Sequence, residues 1–250
     1  MPLFWFLAFA LAWAITVPVA LAVHADIFLI AIPQGATRLT GFAPAIAALI
    51  AAAATGGLAA LARRVFRFKV APIIYLTALL LPVAFLGLSI VASPQLGFGA
   101  PDVNFSMDIL PLVGIWFVLA AGEEVGWRGY ALPHLVARYG FWQGATILGA
   151  AWAVWHYPLM LSSAYINLSD TATVAYWLGL FTLQIFLANY LICWLMARSG
   201  AVIVPTLFHT AFNVVATVYY AAAVDLVITV AIALTVLLIA ILDPEPVFRS

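Results

Sequence analysis

The chain has 250 residues, 67% of them hydrophobic and 7% charged, and its formal net charge is zero. A soluble domain carries roughly 25% charged residues, so this composition excludes a water-facing globule and makes the bilayer the solvent for most of the surface. The neutral balance leaves no basic face to neutralise phosphates, which excludes a nucleic-acid partner. Cys193 is the only cysteine; it has no partner for an internal disulfide and no nearby base to activate it.

In chain order, the first apolar run is Leu3–Val23. It has no basic residue ahead of it and exceeds the roughly 7–15 residues of a signal-peptide core, so it reads as a retained first membrane helix. Further uncharged stretches long enough, or nearly so, for a bilayer core needing ~20 residues are Gly41–Leu61, Ala71–Ala92, Phe141–Leu161, Ala172–Ala197, Ala201–Ala223 and Leu226–Leu242. One more begins at Ile109, meets Glu123 and Glu124 after 14 uncharged residues, and extends to about Pro133. The expectation is an all-α polytopic bundle of about eight transmembrane helices, one integral membrane domain over 1–250 with no soluble-sized loop.

Basic residues orient it. Arg63, Arg64, Arg67 and Lys69 fall between the second and third spans, so that loop is cytoplasmic by the positive-inside rule. Alternate counting puts Arg138, Arg198 and Arg249 on the same side and Arg38 alone opposite, with Asp26, Asp102, Asp108, Asp170 and Asp225 in outer loops. Both termini are then cytoplasmic, and the protein is a multi-pass component of the cell membrane. Dropping the charged span would reverse every later loop. The small-residue second span reads as a helix-packing surface, and Gln184 and Asn189 as interhelical hydrogen-bonding groups. Pro18, Pro82, Pro158 and Pro205 are expected to bend their helices. His24 and His134 fall in loops or at the interface and receive no role.

Three places put strongly polar groups inside spans. In Glu123-Glu124-Val125-Gly126-Trp127-Arg128, a charge near the bilayer centre costs at least ~2.5–3.5 kcal/mol, so the group must face protein. Glu124 and Arg128, four apart, share a helix face and can pair; a pair that only fixes helix orientation would account for them. Glu123 points about 100° away around the helix and is left for chemistry. Trp152-Ala153-Val154-Trp155-His156-Tyr157-Pro158 carries a lone imidazole, which by itself is most simply an interhelical hydrogen-bonding group. His209 and Asn213, again four apart, aim two polar side chains at one point. At about 1.5 Å per residue, Glu123, His156 and His209 lie roughly 15, 22 and 12 Å from the cytoplasmic ends of their spans, depths that allow convergence in the cytoplasmic half.

A carboxylate held away from bulk water is a usable general base, and Glu123 with His156 is suited to polarising a water. His209 and Asn213 are suited to donating hydrogen bonds to the oxyanion formed when that water attacks an amide. No serine or cysteine nucleophile elbow and no H-E-x-x-H pair is present. The chemistry inferred is water-mediated peptide hydrolysis within the membrane, with no cofactor and no metal, on a membrane-associated peptide or protein.

At these residues the chain resembles the CAAX prenyl protease and bacteriocin-processing family, the type II CAAX endopeptidase group of intramembrane glutamate proteases. The pattern E-E-x-x-x-R, F-x-x-x-H and H-x-x-x-N reads here as Glu123-Glu124…Arg128, Trp152…His156 and His209…Asn213, within residues 110–216. The resemblance implies eight helices, Glu123 and His156 activating water, His209 and Asn213 holding the oxyanion, and Glu124 and Arg128 supporting the site. One departure is Trp152 where the family has Phe, which is expected to alter pocket shape and keep the chemistry. Members that trim prenylated C-terminal peptides and members linked to bacteriocin maturation or self-immunity share these motifs, so the substrate stays open. Two other readings compete. One makes Glu123, His156 and His209 zinc ligands; the other makes the cluster a transport or ligand site, or the protein a membrane scaffold or immunity factor.

Overall fold

The computed structural model describes residues 1–25, 32–100, 102–103, 109–162, 170–218 and 222–248. Asp26, Asp108 and Arg249, used above for orientation, lie outside them. All regular structure among the described residues is helical: α1 (Pro2–Ala25), a 3-10 segment (Gln34–Phe42), α2 (Ala43–Thr55), α3 (Leu58–Val65), α4 (Pro72–Gln95), α5 (Ile109–Glu124), a π-helical segment (Val125–Ala131), α6 (Leu132–Tyr139), α7 (Phe141–Leu161), α8 (Thr171–Ser199), α9 (Ile203–Val218) and α10 (Ala222–Leu242). A spanning helix satisfies every backbone group internally, which a bilayer demands.

Among the described residues, six helical stretches are long and apolar enough to cross a membrane: Pro2–His24, Gly35–Thr55, Pro72–Gln95, Ile109–Tyr139, Val174–Ser199 and Asp225–Leu242. The other two expected crossings correspond to α7, whose bounds match the uncharged stretch Phe141–Leu161, and to the shorter apolar helix α9. Large apolar side chains such as Phe6, Ile73, Leu80, Val91 and Leu234 are exposed on the outside of the bundle, the arrangement expected where lipid covers the surface.

Two expectations of local structure change. The second span ends at Thr55, short of Leu61, because Gly56 takes φ 72° and its N–H caps the carbonyls of Ala52 and Ala53. A left-handed residue ends a helix, and glycine enters that region without steric cost. Arg63 and Arg64 therefore sit on a separate short helix, α3. Pro205 lies in the first turn of α9, where no intrahelical N–H is needed, so it leaves that helix unbent. Pro18, Pro82 and Pro158 are inside their helices.

The first helix is part of the bundle. Phe4, Ala8 and Ala12 are buried; the Trp155 indole N–H donates to the Ala8 carbonyl at 3.0 Å, and the Trp13 indole to the Trp155 carbonyl at 3.2 Å. Small residues allow the tightest packing, as the composition of α2 suggested: Ala43, Ala47, Ala48, Ala51 and Ala52 are all buried. Gln184 reaches from α8 to Thr229 Oγ1 on α10 at 3.3 Å, an interhelical bond.

The basic segments gather at one end. Arg64 Nη1 donates to the Gly129 carbonyl at 3.3 Å, and the Val202 N–H donates to the Arg64 carbonyl at 3.0 Å. Burial, and then the charge of Arg63, lower the pKa of Arg64 from the ordinary arginine value. Arg198 pairs with Asp243 at 3.2 Å, and Trp142 donates to the Pro244 carbonyl at 2.6 Å. The α2–α4 connection, the α6–α7 turn, the α8–α9 turn and the end of α10 thus share one face of the bundle.

Candidate functional site

The acidic pair is placed by glycine. In Gly122-Glu123-Glu124-Val125-Gly126 the two glycines are four apart and lie against the 3-10 segment and α2. A Cβ on Gly122 would come within 2.5 Å of the Gly41 carbonyl oxygen, and one on Gly126 within 2.4 Å of Pro44. Only hydrogen fits at either position. The backbone of the charged helix is therefore clamped on one side, and Glu123 and Glu124 face into protein. Directly after Glu124 the chain widens into the π-helical turn Val125–Ala131. Such turns leave the regular i to i−4 bonding and are frequent at functional sites.

Inside that turn the polar groups form a chain of contacts. Arg128 Nη1 donates to Glu124 Oε1 at 2.9 Å, both side chains being fully buried. The other terminal nitrogen, Nη2, donates to Asn189 Oδ1 on α8 at 3.1 Å, and Asn189 Nδ2 donates to the Ala145 carbonyl on α7 at 2.8 Å. Glu124 Oε1 also meets His209 Nδ1 on α9 at 2.9 Å. Five helical elements, α5, the π-helical turn, α7, α8 and α9, are tied through Glu124, Arg128 and Asn189.

Glu123 stands apart from this pair. Its Oε2 accepts from the Trp152 indole N–H at 2.8 Å. The same indole lies beneath the Arg128 guanidinium, whose carbon is 4.3 Å from the ring centroid, and edge-on to His156 and His209 at 5.3 and 5.4 Å between centroids. One aromatic side chain thus touches Glu123, Arg128, His156 and His209, all of the cluster's charged or imidazole groups except Glu124.

Hydrogen-bond partners fix the imidazoles. His156 Nδ1 is 2.7 Å from the Trp152 carbonyl. A carbonyl only accepts, so Nδ1 carries the proton and a neutral ring has its lone pair on Nε2. His209 Nδ1 faces a carboxylate oxygen and by the same logic carries a proton, leaving Nε2 uncommitted. Glu123, His156 and His209 are 9%, 9% and 6% exposed, whereas Glu124 and Arg128 are sealed at 0%. The first three retain a sliver of access; the pair has none.

Asn213 follows His209 by one turn of α9 and is half-buried. Its backbone carbonyl accepts from Thr217 Oγ1 at 2.7 Å, and among the described residues its side chain makes no hydrogen bond to the other members of the cluster. Glu123, Glu124, Arg128, His156 and His209 are brought together around Trp152; Asn213 shares the His209 helix and is joined to the cluster only through it. Among the described residues no group of three His, Cys, Asp or Glu side chains is disposed to hold a metal ion, so the geometry lends nothing to a Glu123–His156–His209 zinc site.

Four features escaped the sequence. Trp152 reads there as an aromatic wall, yet its N–H is a donor to Glu123. Asn189 reads as a generic interhelical group, yet it anchors Arg128. The Gly122/Gly126 spacing is a small-xxx-small packing signature that was available, masked by the more conspicuous acids between the glycines. Nothing in the sequence marks the π-helical turn.

Residues 105–215 match the model of the family described as Rce1-like, type II CAAX prenyl endopeptidase Rce1-like. The chain is also similar to CAAX prenyl protease 2 of Methanococcus maripaludis, 30% identical over 151 residues, covering 58% of this chain and 52% of that protein. It therefore spans about half the length of that curated relative. All three motifs, Glu123-Glu124…Arg128, Trp152…His156 and His209…Asn213, fall within the matched segment.

Proposed function

We propose that the chain is an intramembrane endopeptidase that hydrolyses a peptide bond of a membrane-associated peptide or protein. The observation that carries the reading is the double role of Trp152. Its side chain holds the Glu123 carboxylate at 2.8 Å and its carbonyl holds His156 Nδ1 at 2.7 Å, so a carboxylate and an imidazole Nε2 lone pair are oriented by one residue. In this reading a water between them loses its proton to Glu123 as its oxygen attacks the scissile carbonyl. The oxyanion accepts hydrogen bonds from the Nε2–H of His209, working as an imidazolium held by the Glu124 carboxylate, and from the Asn213 amide. Collapse of the tetrahedral intermediate breaks the C–N bond, and the proton on Glu123 passes to the leaving amine. Glu124, Arg128 and Asn189 touch no reacting atom and hold His209 in place.

The fold is read with eight crossings, both termini on the basic, cytoplasmic side, and the site opening toward that side. The name of the archaeal relative makes a prenylated C-terminal peptide the first substrate to test, beside the same peptide without the lipid. Purified wild type and Glu123→Gln, reconstituted in liposomes, are compared on both peptides. General-base removal is expected to lower turnover by roughly 10²–10⁴ with the variant still folded; turnover by Glu123→Gln at the wild-type rate overturns the mechanism. Equal activity in a metal-stripped preparation separates it from zinc hydrolysis, and absence of cleavage with either peptide favours a transport, scaffold or immunity role.

A further inference from the structure

The structure assigns Trp152 as the positioning residue of the Glu123 carboxylate, a role that a phenylalanine at this position could not fill. Three independent contacts lead there. The indole N–H donates to Glu123 Oε2 at 2.8 Å in a buried setting. The ring is stacked beneath Arg128 at 4.3 Å, and that guanidinium is itself fixed by Glu124 and Asn189. The Trp152 carbonyl is spoken for by His156. The indole is thus clamped from above, its backbone is held within α7, and its one donor is aimed at the Glu123 carboxylate, which stands outside the Glu124–Arg128 pair.

The consequence is directional. A carboxylate attached to a helix by two methylene groups rotates freely unless one oxygen is held, and indole N–H is a donor only. With Oε2 engaged, Oε1 is the oxygen left for a proton from water. The charged and titratable groups around Glu123 are Glu124 and Arg128 on its own helical run, His156 on α7 and His209 on α9. Among the described residues the Trp152 indole N–H is the donor that meets Glu123, while Arg128 donates to Glu124 and Asn189 and His209 Nδ1 faces Glu124. A phenylalanine keeps an aromatic ring beneath Arg128 but removes the donor and part of the ring volume, whereas leucine removes the aromatic plate as well.

The kinetic arm of the test rests on the proteolytic reading; the spectroscopic arm does not. In liposomes, Trp152→Phe is expected to lower kcat about tenfold, the scale of one hydrogen bond to a charged group, with KM within about twofold and an unfolding midpoint lowered less than in Trp152→Leu. Trp152→Leu, which removes plate and donor together, is expected to lower the midpoint as well. An unchanged kcat in Trp152→Phe overturns the assignment, as does a kcat loss that scales with the fall in midpoint across Trp152→Phe and Trp152→Leu. Independently of any activity, the ultraviolet resonance Raman difference between wild type and Trp152→Phe isolates this indole among the nine tryptophans. Its N–H-sensitive band is expected at the hydrogen-bonded position and to move toward the free position in Glu123→Leu. A free-indole band in the wild-type difference, or no movement in Glu123→Leu, overturns the assignment even if the protein cleaves peptides.

Discussion

Glu124 and Arg128 are a fully buried ion pair, and burying such a pair is expensive unless every lone pair and proton is answered. Here Arg128 spends one nitrogen on Glu124 and one on Asn189, and Glu124 Oε1 takes both Arg128 and His209, while Glu124 Oε2 and Arg128 Nε have no partner among the described residues. Each unanswered buried group costs about 1–3 kcal/mol. A pair serving stability alone would be better replaced by apolar side chains; in the proposed reading its part is to orient His209. This makes a prediction at the residue scale. Glu124→Gln, which strands the buried guanidinium, is expected to destabilise the protein by about 3–5 kcal/mol, and Glu124→Gln/Arg128→Met to recover much of that loss. Thermal unfolding in detergent measures both. A double variant less stable than the single one contradicts the account, and neither variant is expected to restore turnover.

At the scale of elements, the site depends on how closely the α5 run approaches α2. The contact is backbone on backbone at Gly122 and Gly126, and the π-helical turn begins at Val125, between the two glycines. Gly126→Ala inserts a carbon 2.4 Å from Pro44. Pro44 is buried in the first turn of α2 and has no room to retreat, so the turn itself must shift. The expected result is overpacking destabilisation of about 1–3 kcal/mol together with a fall in kcat larger than that loss of stability explains. Gly114→Ala, on the same α5 with nothing within 4 Å of its Cβ, is the control and is expected to be silent or slightly stabilising. Comparable losses in both variants would place the sensitivity in helix α5 generally and remove the special role of the clamp.

Across the whole molecule, bound charge and chain direction agree. The segments carrying Arg64, Arg138 and Arg198 lie at one face of the bundle through the Arg64–Gly129, Val202–Arg64, Trp142–Pro244 and Arg198–Asp243 contacts. If that face is cytoplasmic, a cysteine placed at Ala62 on α3 is labelled by a membrane-impermeant maleimide only from the cytoplasmic side, and one at Phe98, beyond the opposite end of α4, only from outside. The native Cys193 is buried and is expected to stay unlabelled, so no cysteine-free background is needed. The reverse pattern would invert the topology and move the mouth of the site to the other side.

Composition and periodicity by themselves determined that the chain is a helical membrane protein and where most of its helices run, because a bilayer leaves helix as the one local solution for long uncharged segments. The i, i+4 spacing of Glu124 and Arg128 likewise determined their pairing, since both residues sit on one helical run and their separation is local. What the sequence left open was every relation between helices. That Trp152 donates to Glu123, that Asn189 holds Arg128, and that His209 meets Glu124 and not Glu123 are contacts between segments 29, 61 and 85 residues apart. Local patterns carry no information about which rotamer and which partner such groups find. The end of the second helix at Gly56 and the π-helical turn belong to the same class: a glycine inside an apolar run is permitted to continue the helix or to stop it, and only the packing of α3 and α5 around it decided.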